Sequence, residues 1–166
     1  ISAVNDFHDN NAYIESCAIK IRATQQNIGK PDKLLFSFHG IPQSYICDDE
    51  PYQSQCLLTA SLIAKKLDLD ESQYEVAFQS RFGKAEWIKP YLSSRLEELP
   101  NEGFKNIHVF CPGFSSDCLE TIDEIGRESK EEFFEHGGKS FEFIPCLNSD
   151  ESFISALMEI QKKTDI

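Results

Sequence analysis

The sequence predicts an α/β fold in which a parallel sheet of about four strands carries helices on both faces. Four short apolar runs have the length of buried strands, and they lie at residues 33–38, 74–79, 106–111 and 140–145. Longer segments with apolar residues at helical spacing alternate with them, at residues 9–28, 52–67, 85–99, 117–136 and 150–162. Because strands that alternate with helices are joined by right-handed crossovers, the strands are expected to run parallel.

The first two predicted helices flank the first strand. Residues 9–28 place apolar side chains at helical spacing, and Gly29 followed by Pro31 ends that helix. The strand at residues 33–38 comes next. A polar and acidic loop then leads to the second helix, at residues 52–67.

The third predicted helix contains the one ambiguous boundary. The strand at residues 74–79 precedes it, and the helix is expected to cover residues 85–99. Pro90 is expected in its first turns or at a break, because proline inside a helix removes a hydrogen bond. Pro100 is expected to end it.

The last four elements complete the alternation. The strand at residues 106–111 ends at a Pro-Gly pair, and the fourth helix follows directly at residues 117–136. A pair of glycines closes that helix. The strand at residues 140–145 and the helix at residues 150–162 end the pattern.

Charge and length limit the class of protein. The 166 residues suffice for one domain with a sizeable core. Acidic residues outnumber basic ones by 28 to 16, and the resulting net charge of −12 argues against nucleic acid or an anionic membrane as partner. No apolar run reaches the roughly 18 residues of a transmembrane helix, and the N-terminus lacks the layout of a signal peptide. We expect a cytoplasmic protein, and the missing initiator Met suggests a fragment of a longer chain.

The cysteines are expected to be free thiols. The chain has six of them, spread along its length, and none forms a Cys-x-x-Cys pair. This spacing fits neither a zinc ribbon nor a usual iron–sulfur signature, so a zinc or redox role has little support. Cys111 and Cys146 close apolar runs and are expected to be buried.

Polar and special residues follow every predicted strand. They are His39-Gly40, Gln79-Ser80-Arg81, Pro112-Gly113 and Pro145-Cys146. Since parallel strands end at one edge of a sheet, a ligand site is expected at that edge. His39 can accept a proton near neutral pH or bind a metal there. The alternative is a histidine that is only hydrogen-bonded within a turn.

The fourth predicted helix carries an unusual acidic face. At a period of about 3.6 residues, one arc holds the carboxylates of Asp117, Glu120, Glu124, Glu128, Glu131 and Glu135. The opposite arc holds Leu119, Ile122, Ile125 and Phe133. Like charges four residues apart repel one another, which suggests a function, although a solvated face remains the alternative. Asp117 and Glu120 are expected in the first turn, where the helix dipole favours anions.

Several sequence blocks together resemble the C-terminal half of ferrochelatase. These blocks are residues 37–42, 78–83, 87–91, 111–121 and 144–148. They occur in the order found in that family and extend over about residues 9–157. Several blocks at matched spacing are far more specific than one short motif.

The resemblance implies a Rossmann-like (chelatase-like) half of a two-domain lyase. Such an enzyme inserts ferrous iron into a porphyrin, usually protoporphyrin IX, in the terminal step of haem biosynthesis. The resemblance assigns His39 and Glu120 to iron binding or to removal of protons from the macrocycle. It adds Asp117 and Glu124 as supporting acidic residues on a helix with a π-type widening.

The resemblance also carries departures from the family. Some relatives have histidine where this chain has Cys118. Relatives with a [2Fe–2S] cluster carry clustered cysteines in a C-terminal extension, and nothing similar follows Leu157, so no cluster is expected. The family's N-terminal half, which supplies the other wall of the porphyrin cleft, is absent, so this chain alone is expected to be inactive.

Several alternatives stay open at this point. His39 is the leading candidate for the base and Glu120 for its first partner, but the sequence does not decide which removes the proton and which binds iron. Another class II tetrapyrrole chelatase, of the cobalt or sirohydrochlorin type, is the second enzyme candidate. A non-catalytic half-domain that binds metal is the third reading. Protoporphyrin and coproporphyrin are equally compatible with the sequence.

Overall fold

The chain forms a four-stranded, all-parallel sheet. The computed structural model describes residues 3–47 and 49–164. The strands are β1 (Lys33–His39), β2 (Tyr74–Gln79), β3 (Asn106–Phe110) and β4 (Ser140–Ile144). They lie in the order β2-β1-β3-β4, and each neighbouring pair is parallel. The predicted α/β fold is confirmed.

Helices cover both faces of this sheet. They are α1 (Asn11–Ile28), α2 (Tyr52–Lys66), α3 (Leu92–Glu102), α4 (Leu119–Ile122), α5 (Lys130–Glu135) and α6 (Glu151–Thr164), with a π-helical segment at Glu124–Ser129 between α4 and α5. A 3₁₀ turn at Gln43–Tyr45 interrupts the predicted loop after β1. Helices α1, α2 and α6 lie on one face, and α3 and α5 lie on the other.

Two apolar layers result, one on each face of the sheet. Phe36 and Phe110 point into the layer under α1 and α2, together with Ile14 and Ile63. The alternating strand residues point into the layer under α3 and α5, where they meet Leu96, Leu99, Ile125 and Phe133. Cys111 and Cys146 are fully buried, as predicted from their place at the ends of apolar runs. No helix in the described parts of the chain is long and apolar enough to span a bilayer.

Helix α3 begins seven residues later than predicted, at Leu92 instead of residue 85. The backbone of the preceding segment instead forms hydrogen bonds near the ends of β1 and β2. Ile88 N–H donates to Ile41 O at 3.0 Å, and Phe78 N–H donates to the carbonyl of Pro90 at 2.8 Å. The peptide bond before Pro90 is cis. Tertiary partners therefore outweigh helix propensity in this segment.

The end of α3 also differs from the prediction. The helix continues through Pro100 to Glu102, and Gly103 ends it with φ of 101° in the left-handed region. Proline in the last turn removes only one hydrogen bond, whereas the left-handed conformation costs glycine no steric clash.

The helix predicted at residues 117–136 is not one continuous α-helix, and the π-type widening that the resemblance implied is confirmed. It is three pieces, because the turns of its middle segment are wider than those of an α-helix, and Glu128 N–H donates to Asp123 O at 2.9 Å, five residues back. The buried residues are spaced four apart, at Thr121, Ile125, Ser129 and Phe133. Leu119 and Ile122, which the ideal period placed on the arc opposite the acids, lie at the surface and are 74% and 60% exposed.

One core residue makes the stability depend on pH. His108 on β3 is 2% exposed, and its Nδ1 has no hydrogen-bond partner among the described residues. Burial lowers the pKa of this imidazole from 6.5. The unfolded chain therefore binds the proton more readily than the folded one, and the free energy of unfolding falls as the pH drops below about 6.5.

We expect His108→Leu to remove this part of the acid sensitivity. Between about pH 7 and pH 5, the decline in unfolding free energy should become shallower by up to about 1.4 kcal/mol per pH unit. Urea denaturation at several pH values measures the slope. His136→Leu, which removes an exposed histidine, is the control. Equal slopes in the His108 variant and the parent chain would contradict the assignment.

Candidate active site

The residues predicted for the site meet at the carboxyl edge of the sheet. His39 ends β1 and is paired in register with Gln79, which ends β2. The loop after β3 leads into α4 and the π-helical segment, which carry Glu120 and Glu124. Histidine and carboxylates thus come from neighbouring strand ends, as expected for a site in an open α/β sheet.

His39 is held by its own turn. Its Nδ1 lies 2.6 Å from the carbonyl oxygen of Gly40. A carbonyl can only accept, so Nδ1 carries the proton and the lone pair of a neutral ring is on Nε2. The ring centroids of Trp87 and Phe114 lie 6.3 and 6.4 Å from that of His39. His39 can therefore be hydrogen-bonded within its turn through Nδ1 and still act as a base through Nε2.

Backbone contacts fix the turn itself. Tyr52 O–H donates to the His39 carbonyl at 2.7 Å, and Gly40 N–H donates to the Gln79 carbonyl at 2.9 Å. A Cβ at Gly40 would lie 3.0 Å from Gln79 O and 3.1 Å from Trp87 Cε3. Glycine here permits an approach that a side chain would obstruct, so it sets how closely β1, β2 and the Trp87 segment come together.

The side-chain amide of Gln79 joins three strand ends and the acidic helix. Its Nε2 donates to the carbonyl oxygen of Glu120 at 2.7 Å, and its Oε1 accepts from Ser37 Oγ at 2.7 Å. Cys111 Sγ lies 3.5 Å from the same Oε1. Gln79 is 3% exposed, and a buried amide is tolerated only when it is satisfied in this way.

Glu124 is bound to the end of β2. Its carboxylate accepts from Ser80 N–H and Ser80 Oγ, both at 2.6 Å, and from Gln79 Nε2 at 3.3 Å. Ser80 adopts φ of 63°, in the left-handed region, which brings both of its donors to one carboxylate. Glu124 is thus a structural tie between helix and strand as well as a supporting acid of the site.

Asp117 lies before the helix and not in its first turn, because α4 begins only at Leu119. Its carboxylate accepts from Cys146 N–H at 2.9 Å and from Asn148 Nδ2 at 2.7 Å. Burial acts to raise the pKa of this carboxyl, but those hydrogen bonds outweigh it and the pKa is lowered. Asp117 therefore anchors the loop after β4 to the start of α4.

Glu120 is the acid of the predicted set whose carboxylate is not used to join elements. It lies on the first turn of α4 and is partly exposed. Hydrogen bonding with the Cys118 thiol and with its own N–H lowers the pKa of the Glu120 carboxyl, and the electrostatic influence of His39 acts in the same direction. The two residues are therefore close enough to interact electrostatically, and Glu120 is ionised at neutral pH.

A cavity of about 350 Å³ opens beside Glu120. Its lining combines polar and apolar residues, namely Ser80, Arg81, Phe82, Leu119, Glu120, Asp123, Glu124 and Glu128. Phe82 and Leu119 are 84% and 74% exposed, although both are large and apolar. An exposed apolar rim next to convergent polar groups is typical of a surface that binds another molecule.

The acidic residues of the π-helical segment and α5 lie in two environments, one around Arg127 and one at a second cavity. Arg127 pairs with Asp123 at 2.5 Å, with Glu128 at 3.0 Å and with Glu131 at 3.6 Å. The guanidinium of Arg127 therefore offsets part of the outer acidic charge. Glu132, which the ideal-helix arc omitted, instead lines a second cavity together with Glu124. Desolvation raises the pKa of the Glu132 carboxyl.

The site residues do not form a ready-made cage for a metal ion. Among the described residues, only Asp6, His8 and Asp9 bring three ligand atoms within 4.8 Å of one another. His39 and Glu120 therefore present separate donors, each with one free ligand atom or group. Such an arrangement suits transient binding of an ion better than permanent binding, because a resident metal normally has its full set of protein ligands preformed.

The fold and these residues define a class of protein: an α/β domain with a histidine and a carboxylate at the carboxyl edge of a parallel sheet. Comparison with known proteins gives the family. The family model described as Ferrochelatase matches residues 1–165, and this chain belongs to the ferrochelatase family.

Curated relatives agree with this assignment. A ferrochelatase of Teredinibacter turnerae is 47% identical over 157 residues, which is 95% of this chain and 43% of the relative. A ferrochelatase of Janthinobacterium sp. is 46% identical with the same coverage. A ferrochelatase of Methylobacillus flagellatus is 46% identical over 160 residues, 96% of this chain and 46% of the relative. The chain spans less than half the length of these relatives.

The sequence did not identify the residues that position the site. Gln79 and Ser80 were expected at the edge, but their hydrogen bonds to the acidic helix were not. Asn148 and Thr121 lie in the blocks that carry the resemblance, but no role was assigned to them, although they hydrogen-bond to Asp117 and Cys118. The sequence feature that could have indicated these contacts is Gln79, which ends a largely apolar strand, because a buried amide needs hydrogen-bond partners.

We expect Glu124→Gln to destabilise the fold by about 1–3 kcal/mol. The substitution removes the charge and replaces one acceptor oxygen by an NH₂ group that faces the Ser80 donors. Urea denaturation measures the change. Glu131→Gln, at an exposed position of the same helical region, is the matched control and should change stability by less than about 0.5 kcal/mol. Equal stabilities of the two variants would argue against the tie.

Proposed function

We propose that this chain forms one wall of an active site that inserts ferrous iron into a porphyrin, the terminal step of haem biosynthesis. The free Nε2 of His39 near an ionised Glu120 at the carboxyl edge carries the proposal. Membership of the ferrochelatase family supports it. The enzyme would be a lyase, with protoporphyrin IX as the proposed porphyrin and iron as its second substrate.

His39 is proposed as the base for the macrocycle. Metallation removes two N–H protons from the pyrrole rings, and a neutral imidazole with a free Nε2 accepts a proton near neutral pH. The Gly40 carbonyl keeps the Nδ1 proton in place, and it stabilises the imidazolium that forms after proton transfer. Aromatic rings on either side restrict the orientation of the imidazole.

Glu120 is proposed to receive the iron. An exposed carboxylate suits a hydrated divalent ion, because it can exchange with water in the coordination sphere. Asp117 precedes it and Glu124 follows it along the chain, and both supply negative charge while their oxygens accept hydrogen bonds from neighbouring donors. The negative field of the three carboxylates favours entry of a cation.

The remaining parts of the proposal concern the whole protein. We infer that the chain corresponds to the C-terminal half of the enzyme and that the missing half completes the porphyrin cleft. The exposed apolar rim at Phe82 and Leu119 supports a surface that the macrocycle or the other half covers. A cytoplasmic location and the lack of a [2Fe–2S] cluster remain predictions from the sequence, as does the lack of a nucleic-acid partner.

A second candidate is a half-domain that binds metal but turns nothing over. It is favoured by the coverage of 43% of the relatives' length, since half of the cleft is then outside this chain. The length of the natural reading frame separates the two candidates. A natural protein more than twice as long as this chain, like the relatives, supports the enzyme, and a protein that ends near 166 residues supports the binding module. A cobalt-type chelatase would be distinguished by metal selectivity of the intact protein.

In the full-length protein, we expect His39→Ala and Glu120→Ala each to lower the rate of porphyrin metallation by about 10²-fold or more. Loss of free-porphyrin fluorescence on addition of Fe²⁺ measures the rate. Glu131→Ala, which removes an outer carboxylate paired with Arg127, should keep the parent rate and serves as control. Near-parental turnover in either site variant would refute the assignment of that residue.

A further inference from the structure

Arg81 is an arginine without a carboxylate partner. The chain has three other arginines, Arg22, Arg95 and Arg127, and each forms an ion pair with a carboxylate. Among the described residues, no carboxylate oxygen lies within 4.0 Å of the Arg81 guanidinium. Acidic residues outnumber basic ones by 28 to 16 in this chain, so acids are plentiful as partners. The isolation of Arg81 therefore points to an anionic partner that is not part of this chain.

Tyr91 supports the guanidinium of Arg81 from one side. The Cζ atom of Arg81 lies 4.5 Å from the centroid of the Tyr91 ring. The ring is held in turn, because the Tyr91 hydroxyl donates to the Trp87 carbonyl at 3.2 Å. A guanidinium that stacks on an aromatic face keeps its N–H donors around its own edge. Those donors remain available for bidentate hydrogen bonds to a carboxylate.

The position of Arg81 connects it with the proposed site. It lines the cavity beside Glu120, and among the described residues of that lining it is the one with a positive charge. Several acids line the same cavity and repel an anionic group that enters it. The cavity thus offers a negatively charged substituent one favourable position, at Arg81. The next residue, Phe82, adds an exposed apolar ring.

A porphyrin combines the two properties that this wall can recognise, since it is a flat apolar ring with propionate side chains. We propose that Arg81 binds a propionate carboxylate of the porphyrin and thereby orients the macrocycle over His39 and Glu120. The apolar part of the ring then lies against Phe82 and Leu119. The inference rests on the proposed function, because it concerns how the same site recognises its organic substrate.

Two other roles of Arg81 lead to different results. If its charge only offsets the field of the neighbouring acids, its removal changes the response to Fe²⁺ and does not depend on the carboxylates of the porphyrin. If its partner is a carboxylate elsewhere in the full-length protein, its removal lowers the stability of that protein. Neither role distinguishes a porphyrin that carries carboxylates from one that does not.

The test compares a porphyrin diacid with its dimethyl ester on the full-length protein, in one detergent buffer. Porphyrin fluorescence anisotropy without metal measures binding, and loss of porphyrin fluorescence with Fe²⁺ measures turnover. We expect Arg81→Ala to weaken binding of the diacid by about tenfold or more and to raise its KM equally, with kcat nearly unchanged. The ester, which has no carboxylate, should bind equally to Arg81→Ala and to the parent protein.

Lys84→Ala is the matched control. Lys84 is an exposed cation of the same loop that does not line the cavity, so its removal should leave the affinity for both porphyrins at the parent value. Arg81→Lys keeps the charge but loses the planar fork, so its affinity for the diacid should lie between those of Arg81→Ala and the parent. An unchanged midpoint of thermal unfolding in Arg81→Ala would verify that this variant is folded.

Several outcomes would overturn the proposal. They are full affinity of Arg81→Ala for the diacid, an equal loss of affinity for diacid and ester, and an effect confined to the KM for Fe²⁺. Iron insertion by a parent protein whose affinity for the diacid does not depend on Arg81 would leave the proposed function standing and refute this inference. Binding of the diacid that depends on Arg81, in a protein that inserts no iron, would do the reverse.

Discussion

The side-chain amide of Gln79 is the interaction on which the site depends. It is buried at the end of β2, where its oxygen accepts from Ser37 and Cys111 and its nitrogen donates to Glu120 and Glu124. Its donors face the acidic helix and its acceptor faces the other strands, so the orientation of the amide has only one satisfied form. The amide thereby fixes where the helix that carries Glu120 begins relative to the strand that carries His39.

This arrangement gives each carboxylate a different task. Glu124 and Asp117 have their oxygens bound to backbone and side-chain donors, so they hold the helix and the loop after β4 in place. Arg127 compensates part of the outer acidic charge. The Glu120 carboxylate joins no two elements, and it is ionised at neutral pH. A row of acids that looks uniform in the sequence is thus one exposed metal-binding candidate supported by two structural acids.

Much of the fold could be predicted from the sequence, because strand length and helical periodicity are local properties. The parallel sheet followed from them, and so did the place of His39 at its edge. The late start of α3 did not, since it depends on hydrogen bonds between Pro90, Phe78 and Ile41 that the sequence does not show. The π-helical segment could not be derived from an ideal period either. The acidic arc drawn from that period includes Glu131 and omits Glu132, whereas in the structure Glu132 lines the second cavity. Leu119, on the opposite arc, is exposed.

The most direct test of this account is the metallation rate of full-length Gln79→Met, a substitution that keeps the size of the side chain and removes its hydrogen bonds. His39, Glu120 and their chemistry are all retained in this variant. The account predicts that the folded variant, verified by circular dichroism, loses about tenfold or more in rate, because Glu120 is no longer positioned against His39. A folded variant that metallates porphyrin at the parent rate would contradict it.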